Sequence, residues 1–118
     1  MYVSLHQRGI YPGTGLSSDD NYVNYPLDVG TGPDEYLTIF KQALEEVKKF
    51  KHNLLAISIG FDTYKNDPLT GLALEIETYK KIGQMIAGLG MPLFAVLEGG
   101  YNHNILGKNV KALILGLE

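Results

Sequence analysis

With 118 residues, 45% of them hydrophobic and 19% charged, the chain has the size and composition of one ordinary globular domain. A net charge of -3 without any long block of like charges gives no electrostatic footprint for nucleic acid or an anionic membrane. The absence of cysteine excludes disulfides and thiolate metal sites, and no apolar run approaches the roughly 20 residues of a membrane span.

The opening segment MYVSLHQRGI has no charged start, apolar centre and small-residue cleavage site, so a cytoplasmic location is expected. Residues 2 to 6 are strand-like, a start that suits a short edge strand or a piece of something longer. QRGIYPGTGLSSDDN (7–21) is a loop, rich in Gly, Ser, Asp and Asn. YVNYPL (22–27) is a short strand, confined by Pro26 to a strand end or an edge. After a second loop, Pro33 stands where a helix favours its first residue, with Asp34 and Glu35 in the first turn. The helix runs over 33–50, with Tyr36, Leu37, Phe40, Leu44 and Val47 on one face and Lys48, Lys49 and Lys51 near its carboxyl end.

Strand 54–59 is continuously apolar, as expected when both sheet faces are covered. A second helix spans 76–89, uses Ile76, Tyr79, Ile82, Ile86 and Leu89 as its apolar face, and ends at Gly90. PLFAVL (92–97) is a second buried strand, and a last helix covers 103–117. The order predicts an α/β fold, a mostly parallel sheet with helices on both faces, formed as a single domain over 1–118. In such sheets ligands bind beyond the carboxyl ends of the strands, so GFD (60–62) and EGGY (98–101) belong to one rim.

Asp62 at a strand tip suits a metal ligand, a general base, or simply a loop cap bonded to nearby N–H groups. In LEGGYN (97–102), Gly99 and Gly100 permit close approach to the backbone, and Tyr101 can donate a hydrogen bond to a developing oxyanion or be a turn tyrosine. Glu98 is a lone acid. Tyr11, between Gly9 and Pro12, can wall a narrow pocket. Gly13-Thr14-Gly15 resembles part of a phosphate-binding loop, but no lysine follows and no helix opens there. That segment and GTG at 30–32 motivate a nucleotide-binding alternative. His6, His52 and His103 form no HxH, HxxxH or DxH pair. His6 reads as a satisfied histidine at a strand end, His52 as solvated, and His103 as able to reach the rim. Catalytic zinc takes three protein ligands, more than these residues offer.

Taken together, Ser4-Leu5-His6, Tyr11-Pro12-Gly13-Thr14-Gly15, Asn24-Tyr25-Pro26-Leu27, GTGPDEYL (30–37), GFD with NDPLTGL, and LEGGYN resemble the histone deacetylase family, with its acetoin-utilisation and acetylpolyamine amidohydrolase relatives. The resemblance implies the carboxyl-terminal part of the arginase/deacetylase fold. It implies that Asp62 is an aspartate ligand of a catalytic zinc and that Tyr101 polarises the acetyl carbonyl. By the same resemblance Gly99 and Gly100 flank an acyl-lysine channel, Tyr11 walls it in place of the usual phenylalanine, and Leu69 lies at its mouth. Ser4 and the backbone of Leu5 match ligands of a structural potassium ion. The implied substrates are acetylated lysine or acetylated polyamines.

The sequence departs from the family in one large respect. The tandem histidines that act as acid and base, and the Asp-x-His pair that completes the zinc site, do not occur in these 118 residues. His6 matches a histidine outside the zinc site. The expectation is an incomplete site, inactive alone, that works with an amino-terminal deacetylase fragment. The alternative is a non-catalytic half-domain that associates with itself or a partner through an open sheet edge.

Overall fold

Four short strands and three helices form from the segments that periodicity marks out. In the computed structural model, which describes residues 1–118, they follow as β1 (Tyr2–Gln7), β2 (Tyr22–Leu27), α1 (Pro33–Lys49), β3 (Leu55–Ile59), α2 (Ile76–Ala87), β4 (Leu93–Leu97) and α3 (His103–Leu117). α1 starts at Pro33, carries Asp34 and Glu35 in its first turn and ends on Lys48 and Lys49, each charge placed to oppose the helix dipole. α2 is two residues shorter than its periodicity suggests. Its last turn tightens into i to i+3 bonds, with the Leu89 and Gly90 N–H groups donating to the Ile86 and Ala87 carbonyls. At its start the Glu75 N–H donates to Thr78 Oγ1 at 3.2 Å.

The strands pair in parallel, β1 with β2 (Ser4 opposite Asn24) and β3 with β4 (Ile57 opposite Ala95). They form two separate two-stranded sheets. The α/β class read from the sequence holds. The expectation that both 54–59 and 92–97 are buried does not. Leu55, Ile57, Ile59 and Leu93 pack on the core, while Ala56 and Ser58 are exposed. Phe94, Val96 and Leu97 are exposed too. A continuous apolar run shows that a strand is suited to two covered faces. Here β3 is covered on one face only, and β4 beyond Leu93 is exposed on both.

The core joins both halves. Leu27, Tyr36, Phe61, Leu72, Leu74, Tyr79, Ile82 and Leu113 belong to one buried cluster, and the Phe61 and Tyr79 rings meet at 5.1 Å. Segment 60–74, though it lacks helix and strand, supplies three of these side chains. The loop before α2 is therefore anchored from beneath.

α2 and α3 cross backbone to backbone. A Cβ on Gly116 would overlap the Lys80 carbonyl oxygen and lie 3.0 Å from Gly83 Cα. Gly116→Ala is therefore expected to cost about 1–3 kcal/mol by forcing the helices apart. A methyl group at Gly107, on the exposed side of α3, would meet nothing within 4 Å. Gly107→Ala should stabilise by about 0.5–1 kcal/mol. Urea midpoints of the two variants, at unchanged slope, should move in opposite directions.

Candidate functional site

The rim starts at the carboxyl end of β1, where two adjacent side chains clamp two loops. His6 Nε2 donates to the Gly15 carbonyl at 3.1 Å, and its Nδ1 is 2.9 Å from Ser4 Oγ. A carbonyl only accepts, so this network assigns the proton to Nε2 and makes Ser4 the donor to Nδ1. His6 is thus satisfied by its neighbours, as one reading of the sequence has it. Gln7 Oε1 accepts the Gly71 N–H at 2.6 Å. The Gly71 carbonyl in turn accepts the Gly30 N–H at 2.7 Å. The loops holding Tyr11, Gly30 and Asp62 are so gathered at one end of the strands.

Asp62 follows the tip of β3. Its carboxylate lies between Gly60 and Gly99, the glycines at the ends of β3 and β4. A Cβ on Gly60 would stand 2.6 Å from Oδ1, and one on Gly99 would overlap Oδ2. Any larger residue at either position would displace the acid. The Phe61 N–H donates to the Gly99 carbonyl at 2.7 Å, which holds the two tips together. The Thr70 hydroxyl donates to the Asp62 carbonyl.

Burial holds the Asp62 carboxyl above the usual range, and the charge of Asp67 adds to the rise, against a bond from its own backbone. Two buried phenols feel this acid from below. Burial first, and the Asp62 charge second, push Tyr36 up to about 12. Tyr79 is raised by burial above all, although Thr63 Oγ1, 2.9 Å from its hydroxyl, opposes the shift.

Asp67 is the residue that sequence reasoning passed over. It is 8% exposed. Its Oδ1 accepts the Leu69 N–H at 2.9 Å and its Oδ2 accepts the Tyr101 N–H at 2.8 Å. Asn102 Nδ2 adds a bond to the Asn66 carbonyl at 2.9 Å. One carboxylate therefore sets Tyr101 and Leu69 relative to Asp62. The bond to Leu69 is a local turn that the Asp67-Pro68 pair signals. The bond to Tyr101 spans 34 positions and has no local signal.

Of the residues singled out, Asp62, Gly99, Gly100, Leu69 and Tyr101 come together on this rim, and Ser4, Leu5 and Tyr11 join it through His6 and Gln7. Gly99 and Gly100 are half-buried. Tyr101 is 47% exposed, Leu69 63% and Tyr11 93%, so no enclosed tube forms around them. His103 is exposed at the start of α3. His52 is not solvated as its basic surroundings suggest: its ring stacks on Phe50 at 6.1 Å. No three His, Asp or Glu side chains cluster as a cation would need. The residues of this chain alone do not compose a zinc site. Ser4 Oγ, with its proton given to His6, keeps lone pairs with which it can meet a cation. No helix is long and apolar enough to cross a membrane.

A family model described as "Histone deacetylase domain" matches residues 1–117. A probable deacetylase of Methanothermobacter thermautotrophicus is 36% identical over all of this chain and 39% of its own length. Acetylpolyamine amidohydrolase 1 of Pseudomonas aeruginosa is 35% identical over 90% of this chain and 30% of its own. The crystal structure of an acetylpolyamine aminohydrolase from Burkholderia pseudomallei superposes with a TM-score of 0.88 at 28% identity, over 98% of this chain and 37% of that one. The chain thus spans well under half the length of these relatives.

Asp67→Ala removes two bonds to a charged acceptor. It should cost about 1.5–3 kcal/mol and speed hydrogen exchange at the Leu69 and Tyr101 amides. Asp62 acts in the other direction. An acid whose folded-state pKa is raised favours the fold below its unfolded value, and that contribution is lost as pH rises through the folded value. In chelator, Asp62→Asn should therefore raise the melting temperature at pH 7, with the difference fading as pH falls below about 4. Melting curves across pH check the sign.

Proposed function

The chain belongs to the histone deacetylase family, and from that membership we propose that it forms the rim of a zinc-dependent amidohydrolase that releases acetate from acetylated lysine or an acetylated polyamine. The observation that carries this reading is the Asp62 carboxylate held between Gly60 and Gly99, with the Tyr101 backbone tied to the same loop through Asp67. Asp62 is one zinc ligand. The Tyr101 phenol donates to the oxyanion that forms as the amide is attacked. Gly99 and Gly100 leave the backbone open to the acyl stem, with Tyr11 and Leu69 bordering the entrance. Ser4 Oγ and the Leu5 carbonyl serve a potassium ion.

Zinc in catalysis takes three protein ligands. Asp62 stands without two others, so the remaining ligands and the acid/base groups come from outside these residues, for example from an amino-terminal deacetylase fragment. These 118 residues alone are then inactive. The exposed apolar side chains of β4, Phe94, Val96 and Leu97, favour a second reading. In that reading the chain is a non-catalytic half-domain that associates with itself or a partner.

Purified chain assayed on an acetyl-lysine peptide and on an acetylpolyamine should show no turnover above Asp62→Ala, and should bind far less than one zinc per chain. Turnover or stoichiometric zinc that Asp62→Ala abolishes would overturn the claim of inactivity. A sedimentation profile of stable dimers, with no zinc, would favour the half-domain.

A further inference from the structure

β1 and β3 belong to separate sheets and line opposite sides of a groove of about 640 Å³, so no ladder fixes one against the other. At the rim the two halves are joined by bonds that converge near one residue, Gly71. Its carbonyl accepts the Gly30 N–H at 2.7 Å, and close by the Ala73 N–H donates to the Thr31 carbonyl at 3.0 Å. The Gly71 N–H donates to Gln7 Oε1 at 2.6 Å, across 64 positions of sequence. Among the side chains of β1, Gln7 alone bonds to the half of the chain that bears Asp62.

Both ends of that bond are fixed. Gln7 stands opposite Leu27 in the ladder of β1 and β2, and the Arg8 N–H closes the ladder on the Leu27 carbonyl at 2.7 Å. Leu27 belongs to the buried cluster. Gly71 has little room to move: a Cβ there would stand 2.8 Å from Val29 Cγ1 and 3.5 Å from Gln7 Oε1. An N–H only donates, so the bond also orients the Gln7 amide, with its oxygen toward Gly71.

The residue before Gly71 carries the constraint to the acid. The Thr70 hydroxyl donates to the Asp62 carbonyl. The Asp62 carboxylate has no side-chain partner to hold it, only the space that Gly60 and Gly99 leave. Its place therefore follows its backbone, and groups held for binding or chemistry need placing to within about 0.5 Å. We propose that Gln7 is a positioning residue for Asp62: from the end of β1, through Gly71 and Thr70, it sets where the Asp62 backbone and carboxylate stand. The purpose of that placement rests on the reading of Asp62 as a zinc ligand, while the placement itself rests on these bonds alone.

The test is made by nuclear magnetic resonance on the isotope-labelled chain at neutral pH, in chelator. In the unaltered chain a scalar coupling should pass across the hydrogen bond from the Gly71 amide nitrogen to Gln7 Cδ, and the χ1 couplings of Asp62 should report one rotamer. Gln7→Met keeps the length of the side chain and removes the acceptor. It should speed exchange at the Gly71 amide roughly tenfold or more and average Asp62 over several rotamers. Gln7→Glu keeps an acceptor oxygen and should restore both. Thr70→Val cuts the second link, so it should free Asp62 while the Gly71–Gln7 coupling persists. A side chain that only added stability would lower the urea midpoint on replacement and leave the native Asp62 rotamer as it was. The proposal is overturned if the coupling is absent, if either Gln7→Met or Thr70→Val leaves Asp62 in one rotamer, or if Gln7→Glu behaves as Gln7→Met does. Should Gln7→Met not fold, the coupling and Thr70→Val decide. Neither zinc nor turnover is read, so a failed hydrolysis assay leaves this result standing, and the reverse.

Discussion

Backbone hydrogen bonding between parallel strands is the constraint on which the rest of this chain depends. Each strand satisfies one edge through its neighbour, and the second edge has no partner within these residues. A buried amide without a partner costs about as much as a lost hydrogen bond. The alternate side chains of β3, Ala56 and Ser58, are exposed. The separation into two sheets follows from that shortage.

What holds the halves in place without a continuous sheet is the helical layer and the loop before α2. α2 and α3 approach at Gly83 and Gly116 until their backbones touch. Phe61, Leu72 and Leu74 run beneath the rim and join the cluster that contains Tyr79 and Ile82. The segment that bears Asp62 is thus fixed by burial rather than by regular secondary structure. A carboxylate raised in pKa by burial and by Asp67 costs stability, and packing below the rim offsets the cost. Such a cost is a common property of sites where groups are held for chemistry rather than for the fold.

The rim shows a division of labour between acids. Asp62 has no side-chain partner at its strand tip and lies between two glycines that leave room for it. Asp67, five positions on, spends both oxygens on backbone amides and so fixes Tyr101 and Leu69. His6 and Gln7 do the same for the loops that reach β1. These side chains, and not regular secondary structure, give Asp62 and Tyr101 their positions.

Much of this was legible in the residues themselves. The 3.6-residue apolar period marked all three helices, and Pro33 with its two following acids marked the start of α1, because a helix face and a helix cap are local properties. Strand-like runs ending before Gly60 and at Leu97 placed Asp62 and Tyr101 beyond strand tips. Motifs in register carried the resemblance to the family. The apolar run of 92–97 was legible as a strand but not as an exposed one, because burial depends on what covers it. Asp67 could not be singled out, since its bond to Tyr101 joins residues far apart in the chain. Which strand edges go unpaired was equally hidden. Pairing is decided by long-range neighbours, and only their arrangement in space leaves β1 and β3 facing each other across a gap.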